Sequence, residues 1–174
     1  MNKFFIKNKI FFIYLISSFF LIFFDQVSKI YIVKFFNQEC GDGFVDCSRG
    51  LFSFFNLTFV CNNGVSFGFL SDFKHSNTLL SVLTIGILVV FLRFLIKSKN
   101  NIERIGFLFI ASGAIGNIID RFRVGCVVDF LHFHYHDWHF AVFNLADSFI
   151  SIGGAVIIFN ELFGSAKVRN FFAK

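Results

Sequence analysis

The chain of 174 residues contains no proline, and its one methionine is the first residue. No proline-rich linker, low-complexity segment, domain boundary or internal repeat breaks it up, so a single domain over residues 1–174 is expected. The lack of a repeat argues against a transporter built from two related halves. No long apolar/polar alternation recurs, which disfavours a transmembrane barrel. Neither HExxH nor CxxC occurs, so the common zinc-site spacings are missing.

Apolar residues are what the chain has in excess. They make up 56% of it, 32 of them are phenylalanine, and the mean hydropathy is +0.71. A soluble domain of this length lacks the interior to hide so much apolar surface. The formal charge of +5 would suggest nucleic acid in a soluble protein, but here the basic residues gather at the ends of apolar runs. That is a mark of membrane topology, and no nucleic-acid partner is expected.

Four apolar runs are separable, at about 10–36, 79–96, 105–119 and 143–163. Crossing a ~30 Å hydrocarbon core takes ~20 helical residues, so the third must extend to about 102–122 to span. The first run begins like a signal peptide, after Lys3, Lys7 and Lys9. It is long, however, and Asp25 and Lys29 follow instead of a small-residue cleavage site, so it is expected to be retained. The fold class expected is an all-α membrane protein. It would be a four-helix transmembrane bundle with a small β-rich or loop subdomain at the membrane surface, formed by residues 37–76 and 123–141.

Lys and Arg set the orientation. Ten lie at the N-terminus, between the second and third runs (Arg93, Lys97, Lys99, Arg104) and in the tail (Lys167, Arg169, Lys174). Six lie across the two longer connections or beside them: Lys29, Lys34, Arg49, Lys74, Arg121 and Arg123. This asymmetry puts both termini in the cytoplasm. Asp25, Asn62, Asp120, Asp129 and Asp147 then share the external level.

Charge at membrane depth costs at least ~2.5–3.5 kcal/mol at a helix centre, so each such residue calls for a role. Asp25 and Lys29 are four apart and can pair on one helix face, with Lys29 free to snorkel outward. Gly113, Gly116, Asn117, Asp120 and Arg121 form a small-plus-polar face suited to close packing, with Asp120–Arg121 read as a structural pair. Asn144, Asp147, Ser151 and Gly154 share another face, where Asn144 suits a helix cap. Asp147 has no cation at helical spacing. Asp129 lies between Val127-Val128 and Phe130-Leu131, where burial and a second carboxylate would both raise its pKa.

The external connections carry further signals. LFSFFNLTFV (51–60) is rich in aromatic and β-branched residues, as in a strand pair. In DFLHFHYHDWHF (129–140), Tyr135 and Trp138 suit a lipid interface. His132, His134 and His136 would share a face in an extended strand. No metal-site spacing accompanies them, and neither metal nor cofactor is expected. Cys40 and Cys47 can form a disulfide, whereas Cys61 and Cys126 read as single residues.

Five motifs now stand in order: FDQVSK (24–29), NNGVSFGF (62–69), GNIIDR (116–121), VVDF (127–130) and FNLADS (143–148). Together they resemble the lipoprotein signal peptidase family, the type II signal peptidases of bacteria, from about residue 24 to 153. The resemblance implies an aspartic endopeptidase of the bacterial inner membrane, with its active site on the external face. Its partners would be membrane lipid and a prolipoprotein bearing diacylglycerol on the lipobox cysteine, whose signal peptide it removes. It implies Asp129 and Asp147 as the catalytic dyad. It implies Asp25, Lys29, Asn62, Gly64, Asn117, Asp120, Arg121 and Asn144 as residues that shape the site or contact substrate. The family's NxGAAF element reads Asn62-Asn63-Gly64-Val65-Ser66-Phe67 here, and its usual paired glycine before GNxxDR is Ser112-Gly113. The loop around Cys40–Gly50 is longer than usual. A monomer is the expectation, although the sequence is silent on oligomeric state.

Two other classes compete. A proton-coupled transporter would keep buried aspartates, but near the bilayer midplane. A structural membrane subunit would explain the phenylalanine-rich spans but not five polar clusters on one level. Cysteine-accessibility labelling tests the orientation: Lys99→Cys is expected to react from the cytoplasmic side and Phe44→Cys from outside. The reverse pattern would invert the topology.

Overall fold

The structure, a computed structural model, describes residues 3–41, 47–64 and 76–164, with side chains from Phe12 and, in the last segment, from Asn77. Phe44, Lys74, the basic tail and residues 65–69 of the NNGVSFGF motif lie outside the described residues, as do the side chains of Lys3, Lys7 and Lys9.

Helix α1 runs over Lys3–Cys40, longer than the expected 10–36, because no proline or glycine interrupts it before Gly41. Gly41 then stops it with a φ of 90°, a left-handed conformation that glycine adopts without steric cost. Helices α2 (Ser76–Lys97), α3 (Asn101–Val124) and α4 (Leu145–Gly164) follow the other three runs. All four are long and apolar enough to cross a membrane. The large side chains of α1 and α2, among them Phe19, Phe20, Phe24, Val82 and Leu83, are exposed, as expected where lipid rather than protein covers them.

Helix α3 is the hub, packing against α1, α2 and α4. Its ends are well defined. The Asn100 side chain accepts from the Ile102 N–H at 2.8 Å, and Gly125 closes the other end at φ 86°. Its small residues let its neighbours in. A Cβ at Gly113 would collide with the Ala146 carbonyl of α4, and one at Gly116 would lie 2.5 Å from Asp25 Oδ2 of α1. The small-plus-polar face expected from the sequence is therefore the seam where three helices meet.

The connections form strands β1 (Cys47–Phe52), β2 (Phe55–Asn62), β3 (Val127–Tyr135) and β4 (Trp138–His139). LFSFFNLTFV supplies the expected strand pair, turning at Ser53-Phe54. The second connection is also extended, and β2 pairs antiparallel with β3, so both connections share one sheet of order β1-β2-β3-β4. The all-α label thus gives way to four helices plus a four-stranded antiparallel sheet. Ile32 and Phe36 of α1 pack with Phe59, Val128 and Phe130 to seat the sheet on the helices.

Two expectations about charge are corrected. Lys29 does not snorkel: it is fully buried, 2.9 Å from Asp25 Oδ2 and 2.8 Å from Asp120 Oδ2. Asp120 pairs not with Arg121 but with Lys29, and with Arg123 one helical turn on, at 3.6 Å. Adjacent helical residues point about 100° apart, whereas i and i+3 share a face. Two carboxylates and the Asn117 carbonyl supply the partners that a buried ammonium needs to offset its desolvation.

Removing that ammonium leaves buried Asp25 without a cation and buried Asp120 with Arg123 alone, at 3.6 Å. Lys29→Met is expected to destabilise the protein by about 3–5 kcal/mol in thermal or denaturant unfolding in detergent. The triple change Asp25→Asn/Lys29→Met/Asp120→Asn should lose less, because no buried charge is left unpaired. A neutral Lys29→Met would show that the triad contributes nothing to the fold.

Candidate active site

Asp129 sits in the most buried stretch of β3, from Val127 to Phe130, and is itself 2% exposed. Between the pairs Leu57↔Leu131 and Val60↔Asp129, β2 carries one residue more than β3, which makes a bulge beside the aspartate. Bulges bend a strand and re-aim side chains, and they favour positions next to functional sites. Two residues past the Val60 pair, Asn62 donates from Nδ2 to Asp129 Oδ2 at 2.9 Å. Its own carbonyl accepts the Gly64 N–H at 3.0 Å, which turns the NH₂ end toward the carboxylate.

Asp147 comes from the first turn of α4. The helix starts with a reciprocal cap: the Asp147 N–H donates to Asn144 Oδ1 at 2.9 Å, and the Asn144 N–H donates to Asp147 Oδ2 at 3.3 Å. This is a capping box with aspartate in the usual glutamate position. Asn144 is wholly buried, and its Nδ2 also donates to Asp129 Oδ1 at 2.6 Å. One asparagine therefore both starts the helix and holds both carboxylates, joining the cap and site-support readings of the sequence.

Asn117 of α3 extends the network. Its Oδ1 accepts from Lys29 Nζ at 3.0 Å and from Asn144 Nδ2 at 3.2 Å, while its Nδ2 donates to Asp147 Oδ1 at 2.8 Å. The buried triad is so wired to the two aspartates, with each bond polarising the next. Asp25 also accepts the Ala146 N–H at 2.9 Å, and Asp120 the Val128 N–H at 3.2 Å. The triad thereby grips the backbone next to Asp147 and Asp129 in turn.

The electrostatics differ across the site. Burial, and then the charge of Asp147, push the Asp129 carboxyl up from its ordinary value to about 7, against the opposing pull of Asn62, Asn144 and Lys29. Arg121 is half-buried, feels the charges of Asp147, Asp129 and Asp120, and has no ion pair within 4 Å among the described residues.

The structure therefore gathers Asp25, Lys29, Asn62, Gly64, Asn117, Asp120, Asn144 and both aspartates at one end of the helices, with Arg121 in their field. The histidines behave otherwise. His136 turns away at φ 50°, and His139 returns on β4 to meet His132, Nδ1 to Nε2 at 3.2 Å. No group of three or more His, Cys, Asp or Glu among the described residues is arranged to hold a metal.

The sequence reading missed two features. Gln26 reaches Asp25, Asp120 and the Gly116 carbonyl, each at 3.1 Å, and its place beside Asp25 in FDQVSK was the available signal. Cys61 and Cys126 are joined in a disulfide, as are Cys40 and Cys47. The clue was their positions just before Asn62 and the VVDF motif.

Comparison with known proteins identifies the family. The family model for signal peptidase (SPase) II matches residues 17–163. A lipoprotein signal peptidase of Rickettsia africae is 36% identical over 149 residues, covering 85% of this chain and 71% of that protein. One from Burkholderia multivorans is 41% identical over 148 residues, covering 83% and 84%. A bacterial membrane enzyme solved by the in meso method at 2.3 Å superposes with a TM-score of 0.71 at 29% identity, over 88% of this chain and 90% of that one. A second, solved at 1.9 Å, gives 0.69 at 32% identity over 87% and 94%. Matched by the family model along most of its length, and by relatives across most of both chains, the chain belongs to the signal peptidase II family.

Proposed function

We propose that the chain is a multi-pass aspartic endopeptidase of the bacterial inner membrane that removes the signal peptide from diacylglyceryl-modified prolipoproteins. The family supports signal-peptide cleavage from prolipoproteins. The observation that carries the aspartic mechanism is Asn144, which binds Asp129 through its amide and Asp147 through its backbone. Two carboxylates from different elements are held around one residue, and burial favours a proton on one of them.

In this reading Asp147 is the resting base. It sits in the first turn of α4, where the Asn117 amide and the Asn144 N–H each hold one of its oxygens in place. It takes a proton from water, whose oxygen attacks the scissile carbonyl carbon. Asp129, neutral below about 7, donates to the developing oxyanion. The C–N bond then breaks as a hydroxyl of the resulting diol returns its proton to Asp129, and the departing amine takes up the proton held by Asp147. Arg121, which has no ion pair among the described residues, would bind a substrate carbonyl. The apolar faces of the neighbouring helices suit a substrate arriving through lipid.

The same end carries both disulfides, which form and persist outside the cytoplasm. That supports an external site with both termini inside, in agreement with the basic-residue asymmetry.

Four outcomes are expected. Asp129→Asn and Asp147→Asn should each slow cleavage of a diacylglycerylated lipobox peptide by at least ~10²-fold. The double variant should be little worse than either, since coupled catalytic groups are non-additive. Full activity in either single variant would end the dyad reading. The same assay with chelator should run at an unchanged rate, and unmodified peptide should be largely spared. Equal rates on both peptides would remove lipid recognition.

The pH profile follows from Asp129. A raised pKa keeps the acid protonated up to about 7 and ionises it above. Hence kcat/KM should fall about tenfold per unit once pH rises beyond that value. A plateau extending well into the alkaline range would mean that neutral Asp129 is not required.

A further inference from the structure

The two disulfides hold different things. Cys40–Cys47 ties the end of α1 to the start of β1, away from the aspartates. Cys61–Cys126 closes a separation of 65 residues at the edge of the site. Cys61 immediately precedes Asn62, and Cys126, wholly buried, lies three residues before Asp129.

The ladder there is short. Past the bulge, β2 and β3 share the pairs Val60↔Asp129, Cys61↔Val128 and Asn62↔Val127, and then both strands end. On one side the chain leaves through Asn63-Gly64; on the other it follows from the left-handed Gly125 that terminates α3. The Asn62–Asp129 hydrogen bond thus depends on a strand end isolated by a bulge, where ladders fray most readily. A covalent link across a long sequence separation strongly restricts such opening.

We infer that the Cys61–Cys126 disulfide is a positioning element of the active site: it clamps the end of β2 to the start of β3, keeps the Asn62 amide on Asp129, and is required in its oxidised form for full cleavage. The inference rests on the reading of Asp129 as catalytic. Reduction by a water-soluble phosphine breaks the S–S bond to two thiols, while the phosphine takes up the oxygen of one water to become its oxide. Asp129 is faced by Asp147 from α4, Lys29 from α1 and Arg121 from α3, and those groups stay in place. Only the Asn62 hydrogen bond, which favours the charged form, is released.

The test uses full-length Cys40→Ser/Cys47→Ser enzyme in detergent, so that one disulfide remains, with two free thiols per chain counted after reduction. Reduction should lower kcat ~10-fold or more, with KM for a diacylglycerylated peptide nearly unchanged and the helical circular dichroism intact. The Asp129 carboxyl band in the infrared, assigned by its loss in Asp129→Asn, should titrate at higher pH after reduction. Cys61→Ser/Cys126→Ser and Asn62→Ala should each reproduce the reduced enzyme, and reduction of Asn62→Ala should change kcat by less than about twofold. Unchanged kcat and an unmoved band, with both thiols counted, would overturn the inference. So would loss of kcat together with the helical signal, because the bond would then serve the fold alone. A shifted band with unchanged kcat would also overturn it, and would place the fault in the catalytic role of Asp129.

Discussion

A single buried ammonium underlies the arrangement. Lys29 neutralises Asp25 of its own helix and Asp120 of α3, and it donates to Asn117 as well. Each acid then uses its remaining oxygen capacity on the backbone beside a site residue, Asp25 at Ala146 and Asp120 at Val128. A charge out of water is tolerable only when fully partnered, so these groups have little freedom to rearrange. The network that makes the lysine tolerable is the one that places the two aspartates.

The site is also inseparable from secondary structure. Asp147 belongs to the cap of α4, and Asp129 belongs to a strand re-aimed by a bulge. Both positions are tied to hydrogen bonds of the main chain, at the helix start and along the strand ladder. This is a rigid way to hold two groups in register, since moving either requires unwinding a helix start or slipping a strand.

Much of this was legible in the sequence, for identifiable reasons. Helices of this length and apolarity announce themselves, and offsets of three, four and seven placed Asn144 with Asp147, and Gly116 with Asp120, on common faces. The capping role of Asn144 followed from its position ahead of an apolar run. Long-range pairing was not legible. Nothing local says that residues 55–62 hydrogen-bond to residues 127–135, so the shared sheet, the bulge and the Cys61–Cys126 link appear only in three dimensions. The fate of Lys29 was misjudged for the same reason: its second acid lies 91 positions away on α3. The histidine alternation misled because a turn at His136 ends the strand that would have aligned the third ring.

The Asn144–Asp147 cap has a consequence in time. In chain order Asp147 follows the residues it must meet, Asn117 and the Lys29 triad, so these are synthesised before it. Until that first turn closes, Asp129 lacks both its neighbouring carboxylate and the Asn144 amide. The two carboxylates therefore come together late, when the first turn of α4 joins helices that are already made.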